Sequence, residues 1–301
     1  MSFSKRCKKE VLKKEPIDVD GEIITLLHFI GSIRISNMKL NVIFKTDSNT
    51  EARYIYKLLS EKYSYSPTFE IQSNDEKVNN REYVVIVEND RISEDLVNLQ
   101  NSGFIENFTD IEEISLDKIK AFLKIAFIFR GSVNDPQRGY NLEIISKNEK
   151  EAKIVEDSMD TFNLKAKVSK RLDSFIIYLK DSDKISDFLA VLGANKSLFE
   201  LENVRALKSI RNDVNRVKNF DKANIDRTVK AAIEQVEAIS KTIKSGDFED
   251  LDELTKKVGK LRLDNPYIPI EELGKLLEPK LSKAKVNYRL QKFIKLAKEL
   301  Q

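Results

Sequence analysis

The sequence repeats itself at an interval of one hundred residues, and this duplication limits the folds open to the chain more than any other feature. Three matches share the interval: Gly31-Ser32 with Gly131-Ser132, Asn41 with Asn141, and Glu51-Ala52 with Glu151-Ala152. An apolar stretch precedes each Gly-Ser pair, at residues 23–30 and 122–130, and both stretches are predicted to be helices. Because chance rarely places several matches in one register, the chain contains a tandem duplicated unit.

Behind each Gly-Ser pair the apolar residues alternate with polar ones, which predicts strands. In the first copy we expect a hairpin at residues 33–36 and 40–44, a helix at 51–62, strands at 68–71 and 83–87, and a helix at 93–100. The second copy repeats this order with a strand at 142–145, a helix at 149–162, strands at 166–168 and 175–179, and a helix at 186–192. The interval shrinks to 92 at the last strand, because a short turn replaces the polar loop at 73–81. The pattern predicts a pseudo-twofold α+β domain with antiparallel sheets.

The composition is that of a globular protein and excludes several classes of site. The 301 residues are 41% hydrophobic and 34% charged, and no stretch reaches the length of a membrane span, so we expect a cytoplasmic protein with no membrane partner. With one cysteine, Cys7, and one histidine, His28, the chain can form neither an internal disulfide nor a cysteine- or histidine-based metal site. No nucleophilic triad can be assembled, and we expect neither a cofactor nor a small-molecule substrate.

Positive charge is concentrated at the two ends of the chain, although the formal net charge is only +3. The first cluster is opposed only by Glu10 and Glu15 and comprises Lys5, Arg6, Lys8, Lys9, Lys13 and Lys14. Its meaning is ambiguous, because amphipathic N-terminal helices are often basic without binding anything. The second cluster follows Pro279 and would present a positive surface to a polyanion.

A helical pattern runs from residue 198 to 243. One side is apolar, with Leu201, Val204, Leu207, Val214 and Val217. Basic and amide residues share another side: Arg205, Lys208, Asn212, Asn215 and Arg216. This stripe suits a phosphate backbone, and a solvated helix that caps the duplicated domain is the alternative interpretation.

The last fifty residues predict three helices, at 251–263, 270–277 and from 282 to the end. A short helix, a tight turn and a basic helix are typical of a helix-turn-helix, which we expect to extend from about Pro269 to Lys298. A protein-interaction module is the alternative for this segment.

The third of these helices is the expected DNA reader. We expect Lys285 and Tyr288 to face the DNA groove, with Asn287 and Arg289 at its margins. Lys283 and Lys292 are the expected phosphate contacts. The first turns of a recognition helix meet base edges, whereas flanking lysines meet phosphates, so these roles follow from position on the helix.

The duplicated unit resembles the LAGLIDADG fold of homing endonucleases. In that fold two helices pack together, and each offers an acid just before its glycine to hold a divalent cation. Ile30 and Arg130 occupy these two positions here. Neither side chain offers the anionic oxygen that a hard cation requires, so the resemblance implies a degenerate domain that binds no metal and is not an enzyme.

The whole chain resembles the WhiA proteins of Gram-positive bacteria, which join a degenerate LAGLIDADG domain to a C-terminal helix-turn-helix. The blocks that carry the resemblance include residues 121–127, 130–136, 140–144, 201–205, 211–216, 272–274 and 282–290. Within the helix-turn-helix, Pro269 and Ala284-Lys285 depart from the usual pattern of the motif. The resemblance implies a nucleoid-associated DNA-binding regulator of sporulation, cell division or chromosome segregation, whose partners are double-stranded DNA and a regulatory protein.

These readings together predict four segments. They are a basic N-terminal segment at 1–20, a LAGLIDADG-like domain at 21–225 with repeats at about 21–110 and 118–205, a helical linker at 226–246, and a helix-turn-helix domain at 247–301. Two other functions stay open. One is an active homing endonuclease that recruits another acid, such as Asp135. The other is a scaffold for division or chromosome-organising proteins that binds DNA weakly.

Overall fold

The duplicated part of the sequence forms two matching sheets in a computed structural model that describes residues 1–36, 39–73, 81–101, 111 and 114–299. The polar loop expected at residues 73–81 falls almost entirely outside the described residues. The first repeat and the helix before it comprise α1 (Phe3–Val11), α2 (Val19–Ile30), β1 (Gly31–Ser36), β2 (Lys39–Thr46), α3 (Asn49–Tyr63), β3 (Thr68–Ser73), β4 (Arg81–Val87) and α4 (Asp90–Asn101).

The second repeat has the same order of elements. It comprises α5 (Leu116–Arg130), β5 (Gly131–Val133), β6 (Leu142–Ser146), α6 (Glu149–Asp160), β7 (Lys167–Arg171), β8 (Ser174–Leu179) and α7 (Ser182–Val191). The strand orders are β1-β2-β4-β3 and β5-β6-β8-β7, and every pairing is antiparallel. The predicted pseudo-twofold α+β architecture is confirmed.

The two central helices, α2 and α5, pack against each other and are buried along most of their length. Each ends at a glycine that the close backbone approach requires. A Cβ on Gly31 would lie 2.6 Å from the carbonyl oxygen of Leu27, and one on Gly131 would lie 2.6 Å from the ring of Phe127. The repeated Gly-Ser pair therefore marks the point where each central helix turns directly into a strand.

A buried ion pair joins the two repeats across the α2–α5 interface. The Lys124 ammonium lies 2.8 Å from the Glu22 carboxylate, and these side chains are 1% and 0% exposed. Lys124 also donates to the hydroxyl of Tyr54 at 2.7 Å, and that hydroxyl donates to Glu22. Burial lowers the pKa of Lys124 despite the nearby carboxylate. Removing either charged partner would leave the other buried and unpaired, so the pair ties one repeat to the other.

One long helix, α8 (Asn195–Ser245), includes the whole helical pattern, whereas the apolar spacing at residues 231–239 predicts a second, separate helix that ends near residue 246. Leu201 is buried as expected, but Leu207, Val214 and Val217 are exposed. The chain divides into two compact units, residues 1–208 and 209–301. The predicted domain boundaries near 225 and 246 lie within α8 and just after its end, and they stay predictions.

The second unit contains most of α8, from residue 209 onward, and three further helices that the sequence predicted: α9 (Glu253–Asp264), α10 (Ile270–Lys275) and α11 (Lys283–Glu299). Their apolar sides form a core of their own, with Ile239, Phe248, Val258, Leu273, Val286, Leu290 and Phe293 at its centre. Across the described parts of the chain, none of the helices combines the length and apolar character that crossing a bilayer requires.

The helix-turn-helix predicted from about Pro269 to Lys298 corresponds to α10 and α11, of which α11 continues to Glu299, and its exact bounds stay a prediction. Lys298 lies in the last turn of α11 and is exposed. Neither of these two residues breaks a helix, and a cation in the last turn is favourable beside the negative end of the helix dipole. The helix therefore does not stop at the lysine. Lys298 therefore stabilises the C-terminal end of α11. It lies several turns away from the predicted base contacts, which are in the first turns of the helix.

Candidate nucleic-acid interface

Helix α11 has a buried apolar side and an exposed polar side. Val286, Leu290, Phe293 and Ala297 pack into the core of the second unit. Four of the predicted contacts are exposed, and they lie in the first two turns of the helix: Lys283, Lys285, Asn287 and Tyr288. The helix is thus anchored by one side and presents hydrogen-bonding groups and an aromatic ring at its beginning.

The turn between α10 and α11 depends on a glycine. The N–H of Leu281 donates to the carbonyl of Gly274 at 3.0 Å. A Cβ on Gly274 would lie 2.3 Å from the carbonyl oxygen of Leu281, closer than real Cβ atoms come to other atoms. Pro269 precedes α10 and makes no side-chain cap, in agreement with the departure noted in the sequence. Because Gly274 has no side chain, the backbone before α11 can come close to the end of α10.

Helix α9 supports the same arrangement from the other side. Gly259 lets the ring of Phe293 approach, because a Cβ there would lie 2.7 Å from that ring. Phe293 also stacks on Phe248, with their centroids 5.9 Å apart. Arg262, which is 1% exposed, donates to the carbonyls of residues 265, 266 and 268 at 3.3, 3.3 and 2.8 Å. Burial lowers the pKa of this guanidinium. The hydrogen bonds from Arg262 to these uncharged carbonyls stabilise the connection between α9 and α10.

The two remaining predicted residues of α11 are partly held by the protein. Arg289 is half-buried and donates to the carbonyl of Lys285 at 3.2 Å. Lys292 lies 3.3 Å from the carboxylate of Asp252 and 5.4 Å from the centre of the Tyr288 ring. Hydrogen bonding to Thr255 and contact with Lys292 lower the pKa of Asp252, which also caps α9. Lys292 is therefore partly neutralised in the free protein.

The residues of the predicted stripe on α8 likewise fall into two groups, those that have partners within the protein and those that are exposed. Arg205 forms ion pairs with Asp183 and with Glu202. Lys208 donates to the carbonyl of Pro136 at 2.6 Å and lies 4.8 Å from the centre of the Tyr140 ring. Asn212, Asn215 and Arg216 are exposed, and Arg216 has only a loose contact of 3.9 Å with Asp213.

Sequence reasoning missed the residues that hold α11 in place. Asp252, Arg262 and Gly259 were not singled out, and Gly274 entered only as part of the resemblance. The Asp252 cap could have been predicted from the sequence, because an aspartate directly before an apolar helical run is a common N-cap. The role of Arg262 could not have been predicted, because only the fold brings its carbonyl partners together around it.

The ends of the two central helices place a cation where the LAGLIDADG resemblance would require an acid. Ile30 ends α2 and Arg130 ends α5. The Arg130 guanidinium donates to the carbonyl of Phe29 at 3.1 Å, so it reaches across to the end of the other helix. Asp135 accepts the N–H of Gln137 at 2.9 Å and stabilises its own turn. Within the described ranges, no three His, Cys, Asp or Glu side chains are grouped to hold a metal ion.

Three family models match consecutive parts of the chain. They are the WhiA N-terminal LAGLIDADG-like domain at residues 20–100, the WhiA LAGLIDADG-like domain at 119–211, and the WhiA C-terminal HTH domain at 214–297. Two similar proteins are both called "Probable cell division protein WhiA". The one from Clostridium botulinum strain Eklund 17B is 33% identical, and the one from Clostridium acetobutylicum is 34% identical; each alignment covers 100% of this chain and 99% of the relative.

A solved structure matches the chain over almost its full length. The crystal structure of full-length DUF199/WhiA from Thermatoga maritima gives a TM-score of 0.59 at 25% identity and covers 99% of both chains. This match includes the duplicated domain and the helical C-terminal region, and it agrees with the family resemblance read from the sequence. The chain belongs to the WhiA family.

Proposed function

We propose that this protein is a DNA-binding transcriptional regulator that reads its target through α11. The observation that carries the proposal is the exposed polar beginning of a helix whose other side is anchored in a separate core. The major groove admits one α-helix, and the first turns of such a helix reach the base edges. Lys285 and Tyr288 are the proposed groove contacts, Asn287 and Arg289 lie at the margins, and Lys283 and Lys292 contact phosphates.

These residue types suit the assigned roles. A lysine ammonium donates to the guanine O6 and N7 acceptors, and an asparagine amide can pair with adenine in the major groove. Lysines beside the groove neutralise phosphates without reading sequence. Because Lys292 is paired with Asp252 in the free protein, its phosphate contact exchanges one ionic partner for another and gives less affinity than Lys283 would.

A second, weaker contact is proposed for α8. Asn212, Asn215 and Arg216 are exposed and share a side of the helix. Arg205 and Lys208 already have partners within the first unit, so we assign them a structural role before a DNA-binding one. Amides and a guanidinium at helical spacing fit a phosphate backbone, which is a contact without sequence preference.

We also propose that the LAGLIDADG-like domain has no nuclease activity. The Arg130 guanidinium points to the end of α2, where a divalent cation would need a carboxylate. Incubation with plasmid DNA and Mg²⁺ tests this directly, and we expect the plasmid to stay supercoiled. Cleavage that Asp135→Ala abolishes would establish the alternative, a homing endonuclease.

The biological role proposed here is control of genes for cell division, sporulation or chromosome segregation. It rests on the family, since the named relatives are called cell division proteins. We further propose association with the nucleoid and a regulatory protein partner. Mapping bound sites across the genome, with a chain lacking residues 247–301 as the control, tests this role. Binding sites that survive the deletion unchanged would contradict α11 as the reader.

The reader assignment is tested with Lys285→Ala combined with Tyr288→Ala. We expect the preference for promoter over random DNA to fall by about tenfold or more, whereas Lys292→Ala should weaken both DNAs about equally. The matched control is Lys260→Ala with Tyr267→Ala, because both of these residues are also exposed in the second unit. A promoter footprint unchanged by the first pair, or lost equally with the control pair, would contradict the assignment.

A further inference from the structure

A basic cavity lies in the first unit between α1 and the beginning of α8. Its volume is about 430 Å³, which is within the usual range for small-ligand sites. Five cationic side chains line it: Arg6, Lys9, Lys13, Lys14 and Lys196. Four of them belong to the N-terminal cluster that the sequence analysis left ambiguous, and the fold brings that cluster against the first turn of α8.

The two acids in the lining are already bound. The Glu10 carboxylate accepts the N–H groups of Lys196 and Ser197 at 2.7 and 3.0 Å and the Ser197 hydroxyl at 2.8 Å. Glu200 is paired with Arg6. Among the residues that the structure describes, Lys9, Lys13, Lys14 and Lys196 form no ion pair with a carboxylate. The cavity therefore has an uncompensated positive charge.

This concentration of charge is unfavourable without an anion. Neighbouring like charges repel each other. In addition, Lys196 lies in the first turn of the 51-residue helix α8, and that first turn contains no acid of its own. The helix dipole is positive at that end and disfavours a cation there, and the Glu10 carboxylate that accepts two N–H groups of this turn offsets part of that effect. An anion in the cavity would relieve both the repulsion among the lysines and the unfavourable position of Lys196.

We propose that this cavity binds a compact polyphosphate, as the free ion or as the phosphate chain of a nucleotide. Four free ammonium groups suit several adjacent phosphate charges, because lysine binds phosphate as a point charge with rotatable donors. Among the described residues the lining contains Met1 and the aliphatic stems of the lysines but no aromatic side chain, so the phosphates supply the recognition. A concave cavity fits a small ligand better than it fits the convex backbone of a duplex.

Bound polyphosphate would join two elements that are far apart in the sequence. Lys9, Lys13 and Lys14 lie on α1 and the turn after it, whereas Lys196 lies on α8. A ligand that contacts both would add to the Glu10 and Arg6 contacts that already connect them. None of the proposed reader residues of α11 lines the cavity, so this ligand is independent of the proposed DNA reader.

The test is calorimetric titration of the full chain with sodium tripolyphosphate. The pocket variant carries Lys9→Gln, Lys13→Gln and Lys196→Gln. The matched control carries Lys147→Gln, Lys150→Gln and Lys167→Gln, three exposed lysines of the same unit outside the cavity. We expect one saturable site in the unchanged protein and the control, and affinity weaker by about tenfold or more in the pocket variant. Thermal unfolding of each variant verifies that it folds, and Lys196→Gln alone replaces the pocket variant if that variant does not.

Two further titrations identify the source of the phosphates. Equal affinity for tripolyphosphate and ATP assigns the site to the phosphate groups alone, and tighter ATP binding assigns it to a nucleotide. The proposal is wrong if tripolyphosphate does not saturate one site, or if the pocket and control variants lose affinity equally. It is also wrong if duplex DNA displaces tripolyphosphate and the pocket variant loses DNA affinity to the same degree, since the cavity is then a backbone-phosphate contact.

Discussion

Helices α8 and α11 both carry basic and amide residues at helical spacing, but they use them differently. On α11 the apolar side is buried, and Lys283, Lys285, Asn287 and Tyr288 are exposed at the beginning of the helix. On α8, by contrast, Arg205 and Lys208 already have partners in the first unit: Arg205 is paired with carboxylates, and Lys208 donates to a backbone carbonyl. A periodic pattern shows which residues share a side of a helix, but not which of them already have a partner.

The largest expected effect comes from changing the turn that presents α11. Gly274→Val places a side chain against the carbonyl of Leu281, where even a Cβ would be 2.3 Å away. We expect the second unit to lose roughly 3 kcal/mol or more of stability, because the backbone must move to accommodate the side chain. Specific DNA binding should fall below detection in an anisotropy assay.

Lys275→Ala is the control for the turn, since it changes the exposed neighbouring residue without entering the turn. It should leave both the melting temperature and the promoter affinity nearly unchanged. If Gly274→Val binds promoter DNA as well as the unchanged protein does, α11 does not need its observed position in order to read DNA.

A matched removal of two cations from each helix sharpens the comparison. Lys283→Ala with Lys285→Ala should lower DNA affinity by about tenfold or more and reduce the salt dependence of binding by about two counterions. Arg205→Ala with Lys208→Ala should change affinity by less than about threefold, because these side chains are bound to Asp183, Glu202 and Pro136. Anisotropy titrations over a series of salt concentrations measure both. Equal losses of affinity would show that α8 contacts DNA as strongly as α11.

A smaller gain is expected when Lys292 is released. Asp252→Asn removes its partner, so we expect DNA affinity to rise by about threefold on both promoter and random DNA. Glu253→Gln is the control, because it removes the same charge next to Asp252 without freeing Lys292. An equal rise in both variants would mean that the local charge, rather than the release of Lys292, controls affinity.

Asp252 also makes the stability of the protein depend on pH, in a direction that its lowered pKa determines. The pKa of Asp252 is lowered by the Thr255 hydrogen bonds and by Lys292, so the folded state favours the ionised carboxylate. This contribution to stability is complete above the ordinary pKa of an aspartate and is lost as pH falls through the lowered folded value. Denaturant unfolding should therefore show a stability difference between the protein and Asp252→Asn at neutral pH that disappears in acid. A difference that persists there would contradict the assigned cause.

The architecture could be read from the sequence because its signals are local and repeated. The strand alternation and the Gly-Ser pairs defined both sheets, and the three C-terminal helices followed from apolar spacing and prolines. The continuity of α8 was not predicted, because the apolar spacing at residues 231–239 was interpreted as a second helix, although no residue near position 225 breaks a helix. The partners of Arg205 and Lys208 were hidden as well, because Asp183 and Pro136 come close only in the folded chain.

Buried charge was equally beyond prediction from the sequence. Lys124 lies in an apolar helix where its spacing gives no hint of Glu22, 102 residues earlier in the chain. Arg262 reads as a solvated helix residue, yet it donates to three carbonyls. In both cases the tertiary fold supplies the groups that make burial tolerable.

The smallest predicted effect tests the exposed part of α8. Asn212→Ala with Asn215→Ala should weaken binding by about twofold, and equally on promoter and random DNA, because backbone contacts carry no sequence preference. Asn203→Ala with Asn224→Ala is the control, since both asparagines are exposed on α8 away from the proposed contact side. A loss confined to promoter DNA would mean that these amides read bases, and α8 would then be a second reader beside α11. No loss in either pair would mean that the middle of α8 is a solvated helix, as the alternative interpretation of its sequence holds.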